Sequence, residues 1–297
     1  MRVTNKMLVN TVLQNLNRNL SMLHRSQDQM SSGKVVSRPS DDPIRVTQAL
    51  TIRSALMEQK QHTKNMKDAK SWLDSSDTAL DNVNEILQRA RELAVYGANG
   101  TLPKQSREAI AQEVDQLIDH LVQVANSSYA GRFVFAGTRT TDIPFQRVGD
   151  SVVYAGNDES LEWEVSPGVT IGINLDGEKA FDVAGGISRT FDVMIALKIA
   201  LEEDKTDDIQ STIGDIQEQI DHNLSQRAVL GAKSRRMELA ITRAEESQVN
   251  VTELLSKLED IDLAEVTMHY SIQSYVYQVA LMTGAKVMQP SLMDFLR

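Results

Sequence analysis

The stretch Val251 to Met282, VTELLSKLEDIDLAEVTMHYSIQSYVYQVALM, places an apolar residue every three and then four positions. Val251, Leu254, Leu258, Ile261, Met268, Ile272, Tyr275, Val279 and Met282 keep that register, with Glu265 the one break. A helix through them carries a narrow apolar seam along one side, and such a seam requires a partner helix. The N-terminus supplies a candidate, since Val9, Leu13, Leu16, Leu20, Leu23 and Met30 hold the same alternation, interrupted only by Gln27. Heptad arms at opposite ends of one chain place those ends side by side, with everything between them an excursion. At 1.5 Å per residue the C-terminal seam runs roughly 50 Å, which argues for an elongated antiparallel helical bundle or coiled coil.

Inward from the first arm, Gly33 stands where a helix C-terminal stop belongs, and an irregular stretch from Lys34 leads to Asp42-Pro43. Proline suits the first helical position, and Asp42 accepts from a free amide of the first turn. Ser40-Asp41-Asp42 therefore reads as a cap and not as a catalytic carboxylate pair or a metal site. From Ile44 to Tyr96 no proline or glycine interrupts a heptad-spaced series through Ile52, Leu73, Leu80 and Leu87. The turn cluster Gly97 to Pro103 reverses the chain, and Ile110, Val114, Leu117, Leu121 and Val124 return as a second helix. At Tyr129 the period changes to two: Phe133 with Phe135, Val152 to Tyr154, Leu161 to Val165 and Val169 to Leu175 predict a small antiparallel sheet with Trp163 on its apolar face. Helix resumes from Ser188 to Glu203, breaks over Asp204 to Asp208, and continues past Gly231, a candidate kink, into the C-terminal arm. The fold class expected is mainly α with a small β-rich insert.

Aromatic residues make up only 5% of the 297 residues against 41% apolar, a balance that fills a helical bundle more readily than it closes an enzyme pocket. The net charge of -10 disfavours nucleic acid and anionic membranes as partners. With no cysteine and five scattered histidines, His24, His62, His120, His222 and His269, no metal-ligand spacing occurs. Phosphate-binding loops, nucleophile elbows and HExxH pairs are absent from the sequence, so neither cofactor nor catalytic residue is expected. No window reaches eighteen apolar residues, and the first twenty residues lack the continuous apolar run of a secretory signal. Export without a cleaved signal is the expectation if the protein leaves the cell.

Met30-Ser31-Ser32-Gly33-Lys34-Val35 followed by Ser37-Arg38-Pro39-Ser40-Asp41-Asp42-Pro43 resembles the junction motif of bacterial flagellins and flagellar hook-associated proteins. The resemblance extends through Tyr96 to Leu102, Ala111 to Leu117, and Arg132-Phe133-Val134-Phe135-Ala136-Gly137-Thr138, and it is closest to the hook-filament junction group, the third hook-associated proteins. Met1-Arg2-Val3-Thr4 and Gln289-Pro290-Ser291-Leu292 are also similar to that group. It implies a non-enzymatic axial subunit of the extracellular flagellum, exported unfolded through the type III apparatus with an export chaperone. Its implied partners are copies of itself in a ring, the first hook-associated protein and flagellin. On this basis residues 1–42 and 251–297 are expected to form an inner-tube domain, 43–140 and 188–250 a helical rod, and 141–187 an outer β-rich domain. The seam residues Val9, Leu13, Leu16, Leu20, Leu23, Met30, Leu254, Leu258, Ile261, Met268, Ile272, Tyr275, Val279 and Met282 are the expected assembly surface. Two alternatives share features of the pattern: a major filament flagellin, which has the same arms, and a cytoplasmic helical signalling module, which also uses long heptad rods.

Overall fold

The computed structural model of the chain describes residues 5–36 and 38–288. Met1 to Thr4, Ser37 and everything from Gln289, including the apolar tail residues Leu292, Met293, Phe295 and Leu296, lie outside the described residues. In chain order the elements are α1 (Asn5–Ser32), α2 (Pro43–Gly97), α3 (Lys104–Ala125), β1 (Ser128–Tyr129), β2 (Arg132–Phe133), β3 (Phe145–Arg147), β4 (Val152–Tyr154), β5 (Glu162–Ser166), β6 (Val169–Gly172), α4 (Gly177–Ala180), β7 (Val183–Ala184), β8 (Ile187–Ser188), α5 (Arg189–Glu202), α6 (Thr206–Glu259) and α7 (Leu263–Met288). The chain is mainly α, with the strands confined to a small insert. It divides into two compact units, residues 1–58 with 247–297, and residues 59–246.

Local chemistry accounts for the helix limits. Gly33 takes a left-handed φ of +70° and its N–H donates to the Gln29 carbonyl at 2.8 Å, closing α1. At the start of α2, Asp42 Oδ1 accepts from the N–H groups of Ile44 and Arg45, each at 3.1 Å, with Pro43 in the first helical position as expected. Asp204, with φ of 63°, makes the break between α5 and α6, and α6 passes Gly231 without interruption.

The C-terminal arm differs from the single helix that its periodicity predicts. α6 stops at Glu259, Ile261 N–H donates to the Gly33 carbonyl at 3.2 Å, and Asp262 Oδ1 caps a new helix by accepting from Ala264 and Glu265 at 2.9 and 3.2 Å. A side-chain cap starting afresh outcompetes an apolar spacing that runs through it. Leu254 and Leu258 therefore belong to α6, and Met268 to Met282 to α7.

In the unit formed by residues 59–246, Leu73, Leu80, Leu87 and Ala94 of α2, Ile118 and Leu121 of α3, Leu197 and Leu201 of α5, and Ile209 and Ile216 of α6 make one buried core. Its β-rich end carries an aromatic cluster in which Phe181 lies 5.3 Å from Phe135, 4.8 Å from Phe145 and 5.8 Å from Phe191, measured between ring centroids. The single sheet expected there is instead three: β1 with β2, β5 with β6, and a four-stranded antiparallel sheet in the order β3-β4-β8-β7. The reason lies at Asn157, between the stretches Val152 to Tyr154 and Leu161 to Val165. Its side-chain Oδ1 accepts from Thr138 N–H at 2.8 Å and its carbonyl accepts from the Tyr154 hydroxyl at 3.1 Å, so the chain leaves β4 to seal a loop and does not fold back as a hairpin. Trp163 is half-buried and packs against the core, as expected.

Candidate assembly surface

In the unit that holds both chain ends, α1 and α7 pack antiparallel. Three contacts set their alignment: Ile261 N–H on the Gly33 carbonyl, Ser26 Oγ donating to Gln273 Oε1 at 2.8 Å, and Gly284 beside Val12 and Leu16. A β-carbon added at Gly284 would sit 3.0 Å from Val12 Cγ1 and 3.7 Å from Leu16 Cδ1, so the absent side chain lets the two helices approach closely there. The elbow between α6 and α7 is pinned by Glu259. Its Oε2 lies 2.5 Å from Arg53 Nη2 and 3.1 Å from Lys34 Nζ, while its carbonyl accepts from Val35 N–H at 2.7 Å.

The residues that turn inward follow heptad spacing, on α1 largely through the residues expected and on α7 in a different phase. On α1 the inward stripe is Val9, Val12, Leu16, Asn19, Leu23, Ser26 and Met30, with Leu20 half-buried beside it and Leu13 exposed. On α7 it is Val266, Tyr270, Gln273, Tyr277, Ala280 and Gly284. The seam expected on the C-terminal arm does not face α1. Met268, Ile272, Val279 and Met282 are exposed, and so are Tyr275, at 69%, and Leu254 on α6, whereas Leu258 and Ile261 are half-buried at the elbow. The phase drawn from Val251 does not survive the break at Asp260 to Asp262, and the stripe that wins combines a glycine with a partly buried hydrogen bond.

Each exposed seam residue lies two positions from an inward one, Tyr275 from Gln273 and Val279 from Tyr277, and two positions turn a helix by about 200°. α7 therefore presents apolar side chains on two nearly opposite faces, of which α1 covers one. A helix that is apolar on both sides is a helix buried on both sides in its working state. α1 also shows Met7, Leu8, Leu13 and Met22 to solvent. Sequence reasoning missed Val12, Asn19, Ser26, Gln273 and Gly284. The signal that marks them is the heptad placement of small and polar residues, not of large apolar ones.

The helical N-terminal region of bacterial flagellin matches residues 3–140, and the helical C-terminal region of bacterial flagellin matches residues 213–296. This chain belongs to the flagellin family. Flagellar hook-associated protein 3 of Escherichia coli K12 is 27% identical over 302 residues, spanning 94% of this chain and 95% of that one. A flagellin of Halalkalibacterium halodurans is 26% identical over 288 residues, with 95% of each chain covered. Among solved structures, a flagellar hook-associated protein from Vibrio parahaemolyticus superimposes with a TM-score of 0.69 at 24% identity, covering 74% of this chain and 100% of that one. The flagellin-family chain is thus a structural subunit of the bacterial flagellar axis. Among the described residues no helix is long and apolar enough to cross a membrane.

Proposed function

We propose that this subunit sits at the hook-filament junction, between the first hook-associated protein and the flagellin filament, in a ring of its own copies. The observation that carries the proposal is the uncovered face of α7: Met268, Ile272, Tyr275, Val279 and Met282 form a continuous apolar seam that α1 leaves open for a neighbouring subunit. The name of its Escherichia coli relative supports the junction over the filament. Residues 1–42 and 251–297 then form the inner tube, 43–140 and 188–250 the surrounding helical rod, and 141–187 the outer β-rich part. The subunit reaches that position through the flagellar type III apparatus, held by an export chaperone. It carries no catalytic role and no cofactor. Deleting the chain in its own bacterium tests the placement. Cells are expected to keep hooks, lose filaments and shed flagellin into the medium, and wild-type filaments on the deletion strain would contradict it.

A further inference from the structure

A pocket of about 280 Å³ opens between β6, α2 and α6 in the unit of residues 59–246. Leu73, Ile173 and Met237, all buried, form its floor, and Lys233 and Arg236, three positions apart on α6, form its rim. Most lysines of the chain rest on carboxylates, as Lys70 does on Asp74 and Lys198 on Asp115. Lys233 does not. It is a half-buried residue whose Nζ donates to the Asn174 carbonyl at 3.2 Å, and neither it nor Arg236 has a carboxylate partner among the described residues. Lys60, Lys64 and Lys286 also lack such a partner, but they stand in solvent.

The charges acting on the amine are Lys179 in α4 and Asp176 just before it, with the Asp176 carboxylate already engaged by Lys179 at 3.2 Å, while the exposed Arg236 lines the same pocket from α6. Burial, helped by Lys179 and opposed by Asp176, pulls the Lys233 ammonium below the usual lysine range. A lysine desolvated beside other cations is the arrangement that makes an amine nucleophilic. In its neutral form Nζ keeps its hydrogen bond to Asn174 and still has a free lone pair.

We infer that Lys233 is a modification site, acylated by small anionic acyl donors of the acyl phosphate class. The Arg236 guanidinium holds the donor's phosphate, and the apolar floor takes its acyl group. Lys233 Nζ attacks the carbonyl carbon and a C–N bond forms. The C–O bond to phosphate breaks with its electron pair, inorganic phosphate leaves, and the surplus amine proton passes to water. The product amide is neutral and its acyl group lies against Leu73 and Met237.

The test treats the folded full chain with limiting acetyl phosphate near neutral pH, and in parallel with the uncharged acetyl ester of N-hydroxysuccinimide, followed by digestion and site-by-site mass spectrometry. Lys233 is expected to react several-fold faster than Lys64 in the folded protein and no faster in urea. The Arg236→Gln variant, with its fold checked by circular dichroism, is expected to slow acetyl phosphate at Lys233 several-fold and to leave the ester reaction unchanged. Equal rates at Lys233 and Lys64 in the folded chain would overturn the site. An Arg236→Gln variant that slows both donors alike, or neither, would overturn the assignment of an anionic donor.

Discussion

Replacing Ile272 and Val279 together by aspartate should block assembly while leaving the monomer folded. Both lie on the uncovered face of α7, one heptad apart and 52% and 43% exposed, so each new carboxylate remains hydrated in the free subunit. Surface substitutions of that kind cost about 0.5 kcal/mol or less apiece. In an assembled tube the same carboxylates would face a neighbour. Even about 2 kcal/mol of desolvation per site lowers the association constant by roughly three orders of magnitude. Leu73→Asp with Leu80→Asp is the matched control, since these side chains are 1% and 0% exposed in the core of the other unit. Truncating one buried leucine costs about 2–5 kcal/mol before any charge is added, so the control pair should consume most or all of a typical stability of about 5–15 kcal/mol. The assays are thermal unfolding of the purified variants, secretion into the medium, and filament formation on cells. An Ile272→Asp, Val279→Asp chain that assembles normally, or that melts as low as the core control, refutes the assembly role given to this face.

Further outcomes follow from single sites. Gly97→Ala should lower the melting temperature, because the added β-carbon would meet Leu201 Cδ2 at 2.5 Å, an overpacking that typically costs about 1–3 kcal/mol; an unchanged transition would show that Leu201 yields freely. The Asp115 carboxyl is held below the usual carboxylate range chiefly by its hydrogen bond to Arg147, with Lys198 assisting. Its contribution is present above the unfolded carboxylate pKa of about 4 and is lost as pH falls through the lower folded value, so Asp115→Asn should flatten the acid limb of a stability-pH profile; identical limbs would refute this. Burial pushes the Tyr154 hydroxyl up to about 12. The stability it confers is present below the unfolded tyrosine pKa of about 10 and is lost as pH rises through the folded one, and an ultraviolet titration should show one tyrosine, absent in Tyr154→Phe, that ionises last.

The long helices were legible because their signals are local. Asp42-Pro43 marks the start of α2, no breaker interrupts it before Gly97, and its apolar positions recur at heptad spacing. The division of the β-rich part was not legible, because it depends on where one side chain, Asn157, finds its hydrogen bonds, and these partners lie 19 and 3 residues away. The arms were legible in part. Periodicity marked an apolar stripe on each arm, but on α7 it was not the stripe that meets α1. The α7 face that meets α1 is built on Gln273, Ala280 and Gly284, which a hydrophobic pattern ranks low, while the larger residues from Met268 to Met282 point away. Lys233 left no trace in the sequence, since its setting comes from β6 and α2 residues distant in the chain.

Immunogold electron microscopy of intact flagella from the bacterium that makes this chain, with antibody raised against residues 141–187, tests the central claim most directly. The account predicts a single narrow band of label where hook meets filament. Uniform label along the filament would identify a bulk flagellin and contradict the junction assignment, and label confined to the cytoplasm would contradict an axial role altogether.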